Sequence, residues 1–295
     1  MGIAVTFPGQ GSQSSGMGAP WQHKPQWSLV THAEQVLEQE VASLLLDEDP
    51  ARLRHTRDAQ LAVFLTSLLA WESTRDTLGD VAAFAGHSLG QLTALVAAGV
   101  LTFDDAVRLV ARRGELTQAA ANTSGGGMAA LLGADQPQAE AACAAAPDAC
   151  WLANDNAPGQ VVIAGTEAGL EAATESARGA GVRKVVRLDV DGAFHTPLMQ
   201  PAADNLASTL ADIDFTAPTT PVVSNADATA CTDDNEWRNR LVDHLVHPVL
   251  WRQSLDTLVD LGADTFVEVG PGRVLSGLAR KCRPDVTTEL VGVGA

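Results

Sequence analysis

The sequence predicts an α/β fold: a larger α/β domain with an inserted βαββαβ unit of ferredoxin-like order. Three observations predict it. A strand-like run, Ile3-Ala4-Val5-Thr6-Phe7, stops at the strong breaker Pro8-Gly9. A second apolar run, Val81-Ala82-Ala83-Phe84-Ala85, breaks at Gly86, and a helical pattern resumes by Gln91. Strand, glycine turn and helix in succession mark an α/β sheet. Third, beyond the flexible break Thr123-Ser124-Gly125-Gly126-Gly127, strand and helix patterns follow one another in the order of a split βαβ unit.

Taken in order, the run at Ile3–Phe7 is the first strand. Apolar residues at Trp27, Val30, Ala33, Leu37, Val41, Leu44 and Leu45 keep a spacing of three or four, which predicts one helix from Trp27 to about Leu46. A second, largely buried helix is expected over Gln60–Leu78. The inserted unit comprises a strand near Met128–Leu132, a helix near Pro137–Ala145, strands near Trp151–Asn154 and Gln160–Ala164, a helix near Ala168–Gly179 and a strand near Arg183–Val190. The chain then returns through helix, a strand at Pro221–Ser224, more helix, and a strand at Thr265–Val269 before Gly270-Pro271-Gly272. The expected division is 1–124 with 194–295 as the large subdomain and 125–193 as the small one.

Composition narrows the functional classes. With 295 residues, 46% hydrophobic and 19% charged, the chain has ample material for a buried core. A net charge of −17 argues against general nucleic-acid binding, which needs a basic footprint. The start MGIAVTFPGQG lacks the features of a signal peptide, and no run approaches the ~18 apolar residues of a membrane span, so a cytoplasmic protein is expected. Cys143, Cys150, Cys231 and Cys282 form no CxxC pair and read as buried or incidental thiols. His244 and His247 have a metal-compatible i, i+3 spacing but no convincing third ligand, so no metal is expected.

Gly86-His87-Ser88-Leu89-Gly90 matches G-x-S-x-G, the nucleophile elbow, and lies between a strand and a helix as that motif requires. Ser88 is therefore the candidate nucleophile. His87, adjacent on a tight turn, is expected to point away and pack; His23, His32 and His55 read as surface or packing residues. His195, on a loop after a strand, is the leading candidate base. Two backbone N–H groups must cradle the oxyanion. One is expected from Leu89, the other from the loop Pro8-Gly9-Gln10-Gly11-Ser12-Gln13, whose glycines fit neither a dinucleotide fingerprint nor a Walker loop.

With these residues in hand, the sequence resembles the malonyl-CoA:acyl-carrier-protein transacylases and the related acyltransferase domains of polyketide synthases. The resemblance runs from Phe7–Gln13 to Glu268–Gly272, through Thr56–Gln60, Gly86–Gly90, Arg113-Gly114, Asn156–Gly165, Gly192–Met199 and Pro248–Trp251. It implies an α/β-hydrolase-like large subdomain beside the ferredoxin-like one, and ping-pong chemistry: Ser88 takes malonyl from malonyl-CoA with His195 as base, then passes it to the phosphopantetheine thiol of the carrier protein. It implies an oxyanion hole from the Gln10 and Leu89 amides, and no permanently bound cofactor. Arg113 matches the arginine that holds the malonate carboxylate, for which a planar guanidinium is better suited than an ammonium. Gln60, Thr117, Asn156 and Phe194 fall at substrate-binding positions. The family orients its histidine through a backbone carbonyl, at the position of His244, rather than through an acid; Asp189 and Asp191 are close in sequence to His195 but poorly placed to orient it.

The sequence departs from the family at several points. His244 stands where relatives commonly have Gln or Asn, Gln91 replaces a common glutamate, Thr117 a pocket methionine, and Leu61 a proline. Phe194 matches malonyl-selective members, and malonyl is the expected group. An anionic carrier protein requires a local basic surface. Two patches are candidates: Arg273, Arg280, Lys281 and Arg283, or Arg183, Lys184 and Arg187. An editing hydrolase acting on acyl-carrier thioesters is the alternative on the same site, and a non-catalytic docking module the reading from another class.

Overall fold

Alternating small and branched residues build the first strand, β1 (Gly2–Phe7). Val5 and Phe7 enter one hydrophobic cluster while Ala4 enters another, so β1 is buried on both faces. In this computed structural model, residues 2–46, 51–190 and 192–292 are described. After β1 come α1 (Ser28–Leu37), α2 (Ala42–Leu46), α3 (Thr56–Thr74), β2 (Val81–Gly86), α4 (Gly90–Ala97) and α5 (Phe103–Ser124). The second sheet is built from β3 (Gly127–Leu132), α6 (Gln136–Cys143), β4 (Cys150–Ala157), β5 (Gln160–Gly165), α7 (Glu167–Gly179) and β6 (Lys184–Arg187). The chain closes with α8 (Gln200–Leu210), β7 (Val222–Val223), β8 (Ala230–Cys231), α9 (Trp237–Val246), α10 (Trp251–Asp260), β9 (Ala263–Val269), α11 (Val274–Cys282) and β10 (Thr287–Val291).

The first sheet has the order β10-β9-β1-β2-β7-β8, parallel except for the β7–β8 pair. One face, carrying Val5, Phe7, Phe84, Val267 and Val269, packs on α3, α4 and α5, with Phe7, Trp71 and Phe84 in mutual edge and stacked contact. The other, with Ala4, Ala83, Ala85, Val223 and Phe266, packs on α10 and α11. Helix α3 is apolar on nearly every side and lies inside the molecule.

The second sheet is antiparallel, in the order β4-β5-β3-β6. Ala129, Leu131, Val161 and Ile163 of one face are covered by α6 and α7. The opposite face, with Met128, Ala130, Val162 and Ala164, looks toward Ala193 and Phe194 and roofs the cleft described below. Backbone bonds between β4 and Val249, and the buried Asp155 carboxylate gripped by Arg252 and Gln253, tie it to the α9–α10 region.

Several expectations differ from the structure. The helix expected over Trp27–Leu46 is two: Glu38 turns into the left-handed region at φ +52°, and the Glu34 carboxylate accepts from the Val41 and Ala42 amides that open α2. The helix expected over Gln60–Leu78 begins and ends four residues earlier, at Thr56–Thr74. The strand expected over Arg183–Val190 pairs only over Lys184–Arg187; Leu188 and Val190 instead line the cleft. The sequence pattern predicts neither β8 nor β10.

Candidate active site

Parallel pairing of β1 and β2 aligns Phe7 with Gly86, so the loops that follow the two strands emerge side by side. Their contact demands glycine. A Cβ on Gly9 would strike the His87 carbonyl, one on Gly90 the Phe7 carbonyl, and one on Gly86 the backbone of Gly90. Between them Ser88 sits at φ +51°, a strained conformation for a side-chain-bearing residue that lifts its hydroxyl out of the turn.

His195, itself at φ +61°, reaches Ser88 from the loop before α8. Its Nε2 lies 2.8 Å from Ser88 Oγ, and its Nδ1 lies 2.9 Å from the His244 carbonyl oxygen. A carbonyl only accepts, so Nδ1 carries the proton and Nε2 presents a lone pair to the serine hydroxyl. Burial and the nearby Arg113 charge lower the pKa of His195 to about 3, keeping it neutral and able to accept a proton. Asp189 is exposed, Nδ1 is taken by the carbonyl, and Asp191 lies outside the described residues.

Arg113 comes from the middle of α5 and is buried. Its Nη1 donates to Gln60 Oε1 at 2.6 Å and its Nη2 lies 3.4 Å from Ser88 Oγ. Among the described residues no carboxylate pairs with it. Desolvation lowers its pKa to about 10, which leaves it charged at neutral pH. Thr117 donates to the Arg113 carbonyl one turn back and accepts from Gln60 Nε2, fixing the Gln60 amide that steers Arg113. Among the described residues the Gln10 and Leu89 amides find no protein acceptor, while the loop holding Gln10 is braced by Ser12 on the Gly9 carbonyl and by Gln13 on the Gly11 amide.

One cleft brings together Gln10, Gln60, Ser88, Arg113, Thr117, Asn156, Phe194 and His195, with Met128, Val162, Leu188 and Val190 of the second sheet opposite. His87 packs as expected, edge-on against Trp251, and also borders the cleft. It bonds to Asn156 Oδ1 at 2.8 Å, and burial lowers its pKa below 6.5. His244 is buried, with its ring stacked 5.0 Å from that of His195.

Sequence reasoning missed Asn225. It is fully buried just past β7, accepts from the Ser88 amide at 2.7 Å and donates to the Gly86 carbonyl at 2.8 Å. Its signal was available: Ser224-Asn225 are the first polar residues beyond the carboxyl end of a strand beside the elbow, where α/β sheets gather functional groups.

Residues 5–288 match the acyl transferase domain family. The chain belongs to that family. This acyl transferase domain is 40% identical over 294 residues to the malonyl CoA-acyl carrier protein transacylase of Bacillus subtilis, covering 98% of this chain and 93% of the relative. It is similar to the crystal structure of an acyl carrier protein S-malonyltransferase from Vibrio cholerae, with a TM-score of 0.94, 36% identity, and 99% and 97% of the two chains covered. It also matches a malonyl-transacylase solved in complex with its type II PKS acyl-carrier protein, with a TM-score of 0.95, 34% identity, and 99% and 96% covered. No helix among the described residues of the acyl transferase domain is long and apolar enough to cross a membrane, and no group of three metal-ligating side chains occurs among them.

Proposed function

We propose that this chain carries a malonyl group from malonyl-CoA to the phosphopantetheine thiol of an acyl carrier protein, in the cytoplasm and for fatty-acid or polyketide synthesis. The observation that carries the reading is Arg113: a buried, charged guanidinium with no carboxylate partner among the described residues, 3.4 Å from the Ser88 hydroxyl. A buried cation wants an anion, and an acyl group with its own free carboxylate supplies one.

In the first half-reaction Ser88 Oγ attacks the thioester carbonyl carbon as His195 Nε2 takes its proton. The Gln10 and Leu89 amides receive the oxyanion, a contribution of about 3 kcal/mol for each such donor. The tetrahedral adduct collapses, the C–S bond breaks, and His195 returns the proton to the departing CoA thiol. In the second half-reaction the pantetheine thiol gives its proton to His195, its sulfur attacks the acyl-serine, and Ser88 leaves with the proton. The His244 carbonyl holds the tautomer throughout. Gln60 aims Arg113, while Thr117, Asn156 and Phe194 bound the acyl pocket. No resident cofactor takes part.

The antiparallel order of the second sheet supports the division into an α/β-hydrolase-like large subdomain, 1–124 and 194–295, and a ferredoxin-like small subdomain, 125–193. The carrier protein docks beside α11, where exposed Val274 lines the cleft and Lys281 bonds to the cleft residue Gln160. The patch reduces to Arg273, Arg280 and Lys281, because Arg283 is paired with Asp256 and Asp285. In the competing patch Arg187 is paired with Glu167, and Arg183 and Lys184 lie at the end of β6 away from the cleft-lining Leu188 and Val190. An editing hydrolase would leave the buried guanidinium without a task.

Intact-protein mass spectrometry after brief mixing with malonyl-CoA or acetyl-CoA, then with holo carrier protein, tests the transfer. A malonyl adduct on Ser88 that moves to the carrier is expected. Arg113→Ala should cut malonyl acylation about 100-fold, equivalent to roughly 3 kcal/mol, and acetyl acylation far less. Equal losses on both substrates would remove the carboxylate clamp; free acid without transfer would turn the reading to hydrolysis.

A further inference from the structure

We propose that Asn225 is a positioning residue for acylation, closing with Gln91 and His244 a ring of hydrogen bonds that joins the nucleophile to its base. The proposal rests on the acyl-serine reading above. Every link is fixed in direction by the chemistry of its partners. Ser88 donates its amide to Asn225 Oδ1 at 2.7 Å; Asn225 donates its own amide to Gln91 Oε1 at 2.7 Å. With Oε1 occupied as acceptor, the Gln91 Nε2 donor faces His244 Nδ1 at 3.5 Å, the longest link. The His244 carbonyl accepts from His195 Nδ1, and His195 Nε2 accepts from the Ser88 hydroxyl, which closes the ring.

Asn225 is suited to hold the elbow because it grips the elbow at two points. Besides the Ser88 amide, its Nδ2 donates to the Gly86 carbonyl at 2.8 Å, so one amide side chain spans the strand end and the strained residue. Only an amide offers one donor and one acceptor in this fixed geometry. Asn225 and Gln91 are fully buried, so water cannot substitute for either link without opening the core. Asn225 does not line the cleft and touches no substrate; it acts through the φ of Ser88. His244 bears the ring's one unsatisfied group. Because Nδ1 faces the Gln91 amide, the proton is on Nε2, which is buried without a protein acceptor. The histidine gives up a hydrogen bond there while keeping the carbonyl that orients His195.

The test uses the full chain and two reagents: malonyl-CoA, and a small alkyl fluorophosphonate that phosphonylates an activated serine with loss of fluoride. The second needs Ser88 and its base but no acyl carboxylate. Asn225→Ala should slow both reactions at least 30-fold at saturating reagent, with the KM for malonyl-CoA within twofold. In Asn225→Asp an ionised carboxylate still accepts from Ser88 but opposes the Gly86 carbonyl; protonated, it regains the lost donor. His87, His195 and His244 have pKa values lowered by burial and Arg113 stays charged; because the native chain carries these same groups, the ratio of variant to native rate isolates the new carboxyl between pH 8 and pH 5.5. The ratio of Asn225→Asp to native rate should therefore rise at least fivefold as pH falls over that range. Native-like rates in a folded Asn225→Ala, or a flat pH ratio in Asn225→Asp, would overturn the proposal. If the alanine variant does not fold, the aspartate ratio decides. A native chain that reacts with fluorophosphonate but not with malonyl-CoA would sink the transferase reading alone, and the fluorophosphonate rates would still judge Asn225.

Discussion

At the residue scale, burial rather than an acidic partner fits His195 for the role of base proposed for it. Its imidazole ordinarily titrates near 6.5, and burial with the adjacent Arg113 charge lowers that to about 3. A depressed pKa means that the neutral, proton-accepting form persists as pH falls. The kcat/KM for acylation by malonyl-CoA should therefore show no inflection between pH 7.5 and 5.5, since that parameter reports the free enzyme. A drop of tenfold across that range, measured by quenched-flow acylation, would show that His195 titrates as an ordinary imidazole. Ser88 and His195 were legible because each stands in a local pattern, an elbow or a loop after a strand. For Asn225 the sequence offers only a place beyond a strand end; its hold on Ser88 depends on a partner 137 positions away whose approach the sheet order creates. Arg113 is intermediate: its helix is readable, but its lack of a carboxylate partner is a property of the packed molecule.

Among the elements, α11 joins a structural role to the carrier-docking role proposed for it above. Its first turn is capped by the buried Glu268 carboxylate, which accepts from the Leu275 and Ser276 amides and fixes the helix against β9. Its side chains Val274, Leu275 and Leu278 line one wall of the cleft. Its last turn carries Arg280 and Lys281, so the charge proposed for docking sits on the same helix as the cleft wall. Reversing both, Arg280→Glu with Lys281→Glu, should raise the KM for holo carrier protein about tenfold, with kcat within twofold and the difference shrinking as salt is added. An unchanged KM in steady-state transfer assays would move docking elsewhere. Among strands, β9 was readable from its apolar run, whereas β10, Thr287-Thr288-Glu289-Leu290-Val291, was not. An edge strand with one exposed face and two threonines has the composition of a loop until β9 pairs with it. The split between α1 and α2 escaped periodicity for a related reason: Glu34 caps α2 with its side chain while the apolar spacing continues across the break.

The whole molecule closes its two sheets over a site rich in buried histidine, and this links function to acid stability. His87, His195 and His244 all have pKa values lowered chiefly by burial. In the unfolded chain each returns to about 6.5 and binds a proton as pH drops below that value, while the folded state does not. Each depressed histidine thus contributes stability that is fully present above pH 6.5 and is lost as pH falls toward its folded value. The slope is at most about 1.4 kcal/mol per pH unit for each group. Carboxylates add to any acid loss, so a single substitution must isolate the histidine share. His244→Gln preserves the backbone carbonyl and removes one titrating ring. Urea unfolding at pH 6 and pH 5 should show a stability decrement about 1 kcal/mol smaller in this variant than in the native chain, because one fewer proton is taken up on unfolding. Equal decrements would mean that His244 is protonated in the folded state as readily as in the unfolded one. Its buried stack on His195 beneath the Arg113 charge would then have to be relieved by an opening of the cleft between the two sheets.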